Sequence, residues 1–363
     1  MMFAYINARV FTGEEFLEDH AVLVADDKIS AVIPVNTLPE GMPTKDLRGH
    51  TLAPAFIDLQ IYGGHGQLFS LYPSVAALTA TYEYCRSGGT SAFQPTVATE
   101  SREIMLQAMQ AVKAYWEAGG KGVIGLHLEG PFINPEKKGA HLPQYIKSPG
   151  VEDIDWILAH GTGIVTMITL APECCAPELI DRLQAAGIIV SAGHSNATYE
   201  EGSAAFNNGI TVATHLFNAM SSLQHRAPGL VGALFDHNSA SSSVVADGVH
   251  VDYSAIRIAK KIMGPRLFLI TDAVVANPAG DYVYVEESDR YVNGGGTLAG
   301  SKLTMWKAVQ NSIHEVGIGA GEALRMASLY PAAVMKQAHL RGRIAEGYLA
   351  ELVVLDGTHC ELL

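Results

Sequence analysis

Four residues of this 363-residue chain combine a chemically able side chain with one recurring local setting. Glu129 in LHLEGP, His194 in SAGHSN, His215 in ATHLFNAM and Asp272 in LITDAV each follow an apolar, β-like run. One carboxylate and two imidazoles can hold a divalent cation and leave a position open for water. A bound cation lowers the pKa of that water from about 15.7 toward about 7, and a further carboxylate beside it can take the proton. Taken singly, each residue has an ordinary alternative. Glu129 could cap a following helix, either histidine could be a core or capping residue, and Asp272 could be a direct ligand. Ser195 and Asn196 are expected to cap the helix after His194. Taken together, the four point to metal-assisted hydrolysis.

Residues scattered over such a distance meet only if the elements behind them converge. Eight strand-like runs are expected at 55–61, 90–96, 123–129, 164–170, 188–193, 211–215, 243–247 and 267–272. Between them, SREIMLQAMQAVKAYWEAGG and PELIDRLQAAG place apolar residues at i, i+3 and i+4 and stop at glycine, so they read as helices. Strands alternating with helices, with chemistry at the strands' C-terminal ends, predict an α/β fold, a (β/α)8 TIM-like barrel. Residues 1–52 and 338–363 read instead as short strands without helical period. They predict a small β-sandwich domain built from both chain ends, with the barrel over 53–337. The polar stretch 278–300 is expected to form a hairpin extension at the mouth, followed by closing helices.

The net charge of −13, with no basic run to offset it, argues against nucleic-acid or anionic-membrane partners. The substrate class left is a small molecule, a small anion included, because helix N-termini and a few basic residues supply a local positive field. Cys85, Cys174, Cys175 and Cys360 form no CxxC pair and are expected as free thiols of a reducing, cytoplasmic chain. No apolar stretch reaches the roughly 20 residues of a membrane span, and the first residues show no signal-peptide pattern.

LAPAFIDLQ, HLEGPF, GAH, AGHSNA, THLFNAM, RAPG, DGVH, TDA and TLAGS occur in this order along the chain. In these motifs the chain resembles the amidohydrolase superfamily, and within it the family of N-acetylglucosamine-6-phosphate deacetylases. The resemblance implies Glu129, His194 and His215 as metal ligands and Asp272 as the catalytic acid and base. It implies His141 at the acetamide carbonyl, with Ala140, Asn218, Ala219, Arg226 and His250 holding sugar and phosphate. Leu298, Ala299 and Gly300 would line the sugar pocket. The implied reaction is deacetylation of N-acetyl-D-glucosamine 6-phosphate in amino-sugar catabolism, by a homodimer in which Arg226 reaches the neighbouring pocket. The rivals are the same chemistry on the galacto epimer, another amidohydrolase activity such as cyclic-amide hydrolysis, and a non-catalytic sugar-phosphate sensor. One departure bears on the metal. Many superfamily members carry His-x-His at the end of the first strand and a lysine at the end of the fourth. Here Gln60-Ile61-Tyr62 and ITLAPE stand there, and His65 lies too far along the loop to substitute. One divalent ion is therefore expected, zinc first, with iron(II), cobalt or manganese able to fill the same donor set.

Overall fold

A computed structural model describes residues 2–363. The eight apolar runs form eight parallel strands: β1 (Phe56–Ile61), β2 (Thr90–Val97), β3 (Leu126–Glu129), β4 (Val165–Leu170), β5 (Ile189–Ala192), β6 (Val212–Ala213), β7 (Ser241–Val245) and β8 (Leu267–Ile270). They pair in sequence order, each with the next. The ladder's two ends meet just past β8, where the Asp272 N–H donates to Gln60 O (3.0 Å) and the Tyr62 N–H to Ala273 O (2.9 Å). Every residue of β1 and β2 is buried, because parallel strands are covered by side chains inside the ring and by helices outside.

The helices start where the sequence supplies caps. Ser101 Oγ accepts from the Ile104 N–H ahead of Arg102–Glu117. Thr198 and Glu201 form a capping box on Tyr199–Asn207. Ser195 and Asn196, expected to cap that helix, instead bind Glu173: Ser195 Oγ donates to Oε2 (2.7 Å) and the Asn196 N–H to Oε1 (2.6 Å). The helix starts two to three residues later than foreseen, because this polar clamp occupies the turn.

Strands from both chain ends share one seven-stranded sheet, Met2–Phe11, Phe16–Ala25, Lys28–Pro34, Thr44–Asp46, Thr51–Pro54, Leu352–Leu355 and Cys360–Leu362. Met2–Phe11 changes partner along its length, pairing Thr44–Asp46 at Ala4–Ile6 and Thr51–Pro54 at Arg9–Val10. The sheet then curls onto itself. Ile29 donates to Tyr348 O and accepts from the Gly347 N–H, and Val22, Ile29, Leu352 and Val354 meet in one apolar cluster. On its other side Phe11, Ala53, Val353 and Leu355 join the barrel's own core. Fully buried Phe56 stacks on Trp306 there, and burying one such side chain contributes about 1.5–3 kcal/mol.

The stretch after β8 forms three short antiparallel strands, Tyr284–Glu286, Arg290–Asn293 and Leu298–Ser301. They are tied to the barrel mouth by Tyr282, whose hydroxyl donates to Thr99 O (2.7 Å). No helix among the described residues is long and apolar enough to cross a membrane.

Candidate active site

The site is made by turns at the strands' C-terminal ends. His194, His215 and Asp272 all hold positive φ (47°, 38° and 54°). For residues other than glycine this is uncommon and costs free energy that the surrounding structure must offset. Each conformation ends a strand abruptly, which is why β6 stops at Ala213 although apolar character continues beyond it.

Glu129 Oε1, His194 Nε2 and His215 Nε2 form a triangle with sides of 3.0 Å (Glu129–His215), 3.3 Å (Glu129–His194) and 3.1 Å (His194–His215). Ligand bonds of about 2.0–2.1 Å at tetrahedral angles place donor atoms roughly 3.3 Å apart, so the triangle has the size of a single-cation site. The chemistry of His194 and Glu129 agrees. His194 Nδ1 is 2.8 Å from Lys137 O, so the ring proton sits there and the Nε2 lone pair faces the triangle. Burial and the neighbouring His141 push His194 down to about 4, which keeps that lone pair free at neutral pH. Burial works against an ionised Glu129, but the His194 and His141 rings hold its carboxyl well below the usual range. His141 also lies within reach of such a cation, with Glu129 and His194. Its Nδ1, however, takes the Thr99 N–H at 3.1 Å. Its remaining proton is therefore on Nε2, 3.1 Å from Glu129 Oε2, and His141 presents a donor rather than a lone pair.

Asp272 stands beside the triangle. Oδ1 accepts from Gln60 Nε2 at 2.8 Å, and Oδ2 lies 3.9 Å from His250 Nε2. Burial pushes its carboxyl up, against the opposing pull of His215. A raised value is the correct sense for a group that takes a proton and returns it. His250 is itself held from behind, with Nδ1 2.5 Å from Asp247 Oδ2.

One layer deeper, Asp58 accepts the Thr271 hydroxyl (2.5 Å) and backbone N–H (3.1 Å). Burial nevertheless pushes it up to about 7. Folded protein then keeps this proton to about pH 7, whereas the unfolded chain releases it near 3.8. Asp58 therefore supports the fold at acid pH and loses that support as pH rises through 7, by an amount on the order of 4 kcal/mol. Asp58→Asn lacks the titration. Its stability relative to the parent is expected to improve between pH 4 and pH 8 in urea unfolding, and an unchanged difference would remove Asp58 from the balance.

A cleft opens to solvent above these groups. Ala140, His141, Asn218, Ala219, His250, Leu298 and Ala299 line it together with Glu129, His194, His215 and Asp272. Two expected residues are elsewhere. Gly300 packs behind the wall, where a Cβ would meet Val274 at 2.6 Å, so the strand's close approach to Asp272–Val274 requires glycine. Arg226 is exposed, on a turn closed by two Gln224–Ala227 hydrogen bonds, and lines a separate hollow with Lys137 and Thr198. Tyr62, Tyr282 and Tyr284 also line the cleft and were not foreseen as contacts. The i, i+2 spacing of Gln60 and Tyr62 was the available signal for the first. His65 points away, its ring edge-on to Tyr84.

The amidohydrolase family matches residues 51–362, and a NagA composite domain matches residues 2–52. The chain belongs to the amidohydrolase family. It is 37% identical to an N-acetylglucosamine-6-phosphate deacetylase of Haemophilus influenzae, over 98% of this chain and 95% of that one. It is 36% identical to an N-acetylgalactosamine-6-phosphate deacetylase of Shewanella sp., over 96% and 91%. Its fold superposes on the crystal structure of the N-acetylglucosamine-6-phosphate deacetylase from Pasteurella multocida with a TM-score of 0.95, at 37% identity, covering 100% and 97% of the two chains.

At the end of β1 this amidohydrolase turns hydrogen-bond donors on the site's carboxylates. Gln60 Nε2 reaches Glu129 Oε1 (3.0 Å) and Asp272 Oδ1 (2.8 Å), and the Tyr62 hydroxyl donates to Glu129 Oε2.

Proposed function

We propose that this amidohydrolase hydrolyses the acetamide of N-acetyl-D-glucosamine 6-phosphate, giving D-glucosamine 6-phosphate and acetate. The observation that carries the reading is the Glu129–His194–His215 triangle with Asp272 alongside, at the floor of a cleft in the barrel mouth. Glu129, His194 and His215 would hold one divalent cation, zinc first by its fit to a mixed nitrogen and oxygen set, and that ion supplies a water acidic enough to ionise near neutral pH. Asp272 Oδ takes the proton from the attacking water. His141 Nε2–H donates to the acetyl oxygen as negative charge develops there. Asp272 then returns its proton to the sugar nitrogen, so that the amine leaves neutral. Ala140, Asn218 and Ala219 hold the sugar, Leu298 and Ala299 wall it, and His250 takes the phosphate. Gly300 acts from behind by letting that wall approach closely. Free thiols at all four cysteines agree with action in the cytoplasm.

Arg226 is assigned to the phosphate of a second copy's substrate, in a homodimer. Its turn carries it away from its own cleft, and Leu223 beside it is 53% exposed, as a residue awaiting a partner surface would be. Arg226→Ala is expected to raise KM for the phosphorylated sugar about 10–100-fold with kcat little changed, the loss of a charge-assisted bond. An unchanged KM, or a protein that sediments as a monomer at assay concentration, overturns the assignment.

The direct test is acetate release from both 6-phosphorylated epimers by protein of known metal content. Faster turnover of the gluco sugar is expected. Faster turnover of the galacto sugar replaces the substrate, and binding without acetate release replaces the enzyme with a sensor.

A further inference from the structure

The two oxygens of Glu129 are not equivalent. Oε2 accepts from two donors, the Tyr62 hydroxyl and His141 Nε2 (3.1 Å). Oε1 faces His194 and His215 and has Gln60 Nε2 at 3.0 Å. Tyr62 is in turn held by Gln60 Nε2, 2.8 Å from its oxygen, and its ring packs beside Leu68, Leu71 and Val274. Tyr62 is 5% exposed and Glu129 1%, so the bond is shielded from bulk water.

We infer that Tyr62 is a positioning residue for metal binding: by occupying Glu129 Oε2 it leaves Oε1 as the single oxygen offered to the cation. The physical reason is the carboxylate's symmetry. An unrestrained carboxylate rotates about its Cγ–Cδ bond and presents either oxygen, or both. The Tyr62 hydroxyl holds Oε2 before the cation arrives and also when His141 turns its single Nε2–H to the substrate, so the ion loses no affinity to reorganisation. Tyr62 touches neither the cation nor the reacting atoms in this account. It acts through Glu129. The inference rests on the reading of Glu129 as a metal ligand.

The test measures zinc affinity by competition with a chromogenic chelator for the full-length parent, Tyr62→Phe, Gln60→Met and Glu129→Gln. Tyr62→Phe keeps the ring in its apolar cluster and removes one oxygen. Its dissociation constant is expected to rise about 10–100-fold, the usual cost of removing a residue that orients a ligand. Gln60→Met removes the Oε1 donor and the amide beside the Tyr62 hydroxyl but keeps that hydroxyl on Oε2, so its constant is expected to move less than that of Tyr62→Phe. Glu129→Gln is expected to bind weakest. If Tyr62→Phe binds zinc as tightly as the parent while Glu129→Gln does not, the positioning role is wrong and the metal reading stands. If Gln60→Met and Tyr62→Phe lose affinity equally, the effect is general loosening and the Oε2 lock is wrong. If Glu129→Gln binds as tightly as the parent, the ligand assignment itself falls.

Discussion

Asp272→Asn is expected to retain its divalent ion and to lose turnover by about 10³–10⁴-fold, the upper part of the range for a group that both removes and returns a proton. The amide preserves the shape and keeps an oxygen for Gln60, whose Nε2 lies 2.8 Å from Asp272 Oδ1. What it cannot do is accept a proton. The triangle of Glu129, His194 and His215 does not include Asp272, so metal content should match the parent. Parent-like turnover in this variant would transfer the proton-carrier role to another group, and His250, 3.9 Å from Oδ2, would be examined next. Loss of both metal and turnover would instead make Asp272 a ligand.

Chelation of the cation is expected to abolish turnover while leaving the protein folded, and returning zinc should restore activity. Without the ion, Glu129 still accepts from Tyr62, Gln60 and His141, so its buried charge is not abandoned. Reloading should raise the melting temperature, because an ion bound at 1,000 times its dissociation constant adds about 4 kcal/mol to the folded state. For a chain of this size that is an upward shift of several degrees. A chelated protein with unchanged turnover and unchanged melting temperature would remove the metal from the reaction.

Strand positions were legible in the sequence because barrel strands are buried on both faces and read as apolar runs. Their ends were not. The run expected at 211–215 is a two-residue strand, since the positive φ of His215 is a tertiary outcome that no local preference predicts. Glu129, His194, His215 and Asp272 were singled out by their shared place after apolar runs, and the strand ends bring these four side chains together. Residues acting through neighbours were harder to see. That Tyr62 donates to Glu129, 67 positions away, depends on β1 and β3 lying almost side by side, with one strand between them. Asp247 behind His250 was hidden for a different reason, because nothing in DGVH distinguishes a helix-capping aspartate from one that grips an imidazole. Arg226 was read from its company of motifs, and company along the chain did not bring it to the cleft of its own molecule.

The curled sheet shared by the two chain ends has a consequence for biogenesis. Thr51–Pro54 lies between Met2–Phe11 and Leu352–Leu355, so the edge it offers to the latter stays open until the ribosome has added roughly 300 more residues, at about 5–20 per second. For some tens of seconds a nascent chain carries an unsatisfied edge strand, the kind of surface that recruits wrong neighbours. The last dozen residues therefore act as the clasp on a polypeptide whose catalytic portion has already emerged.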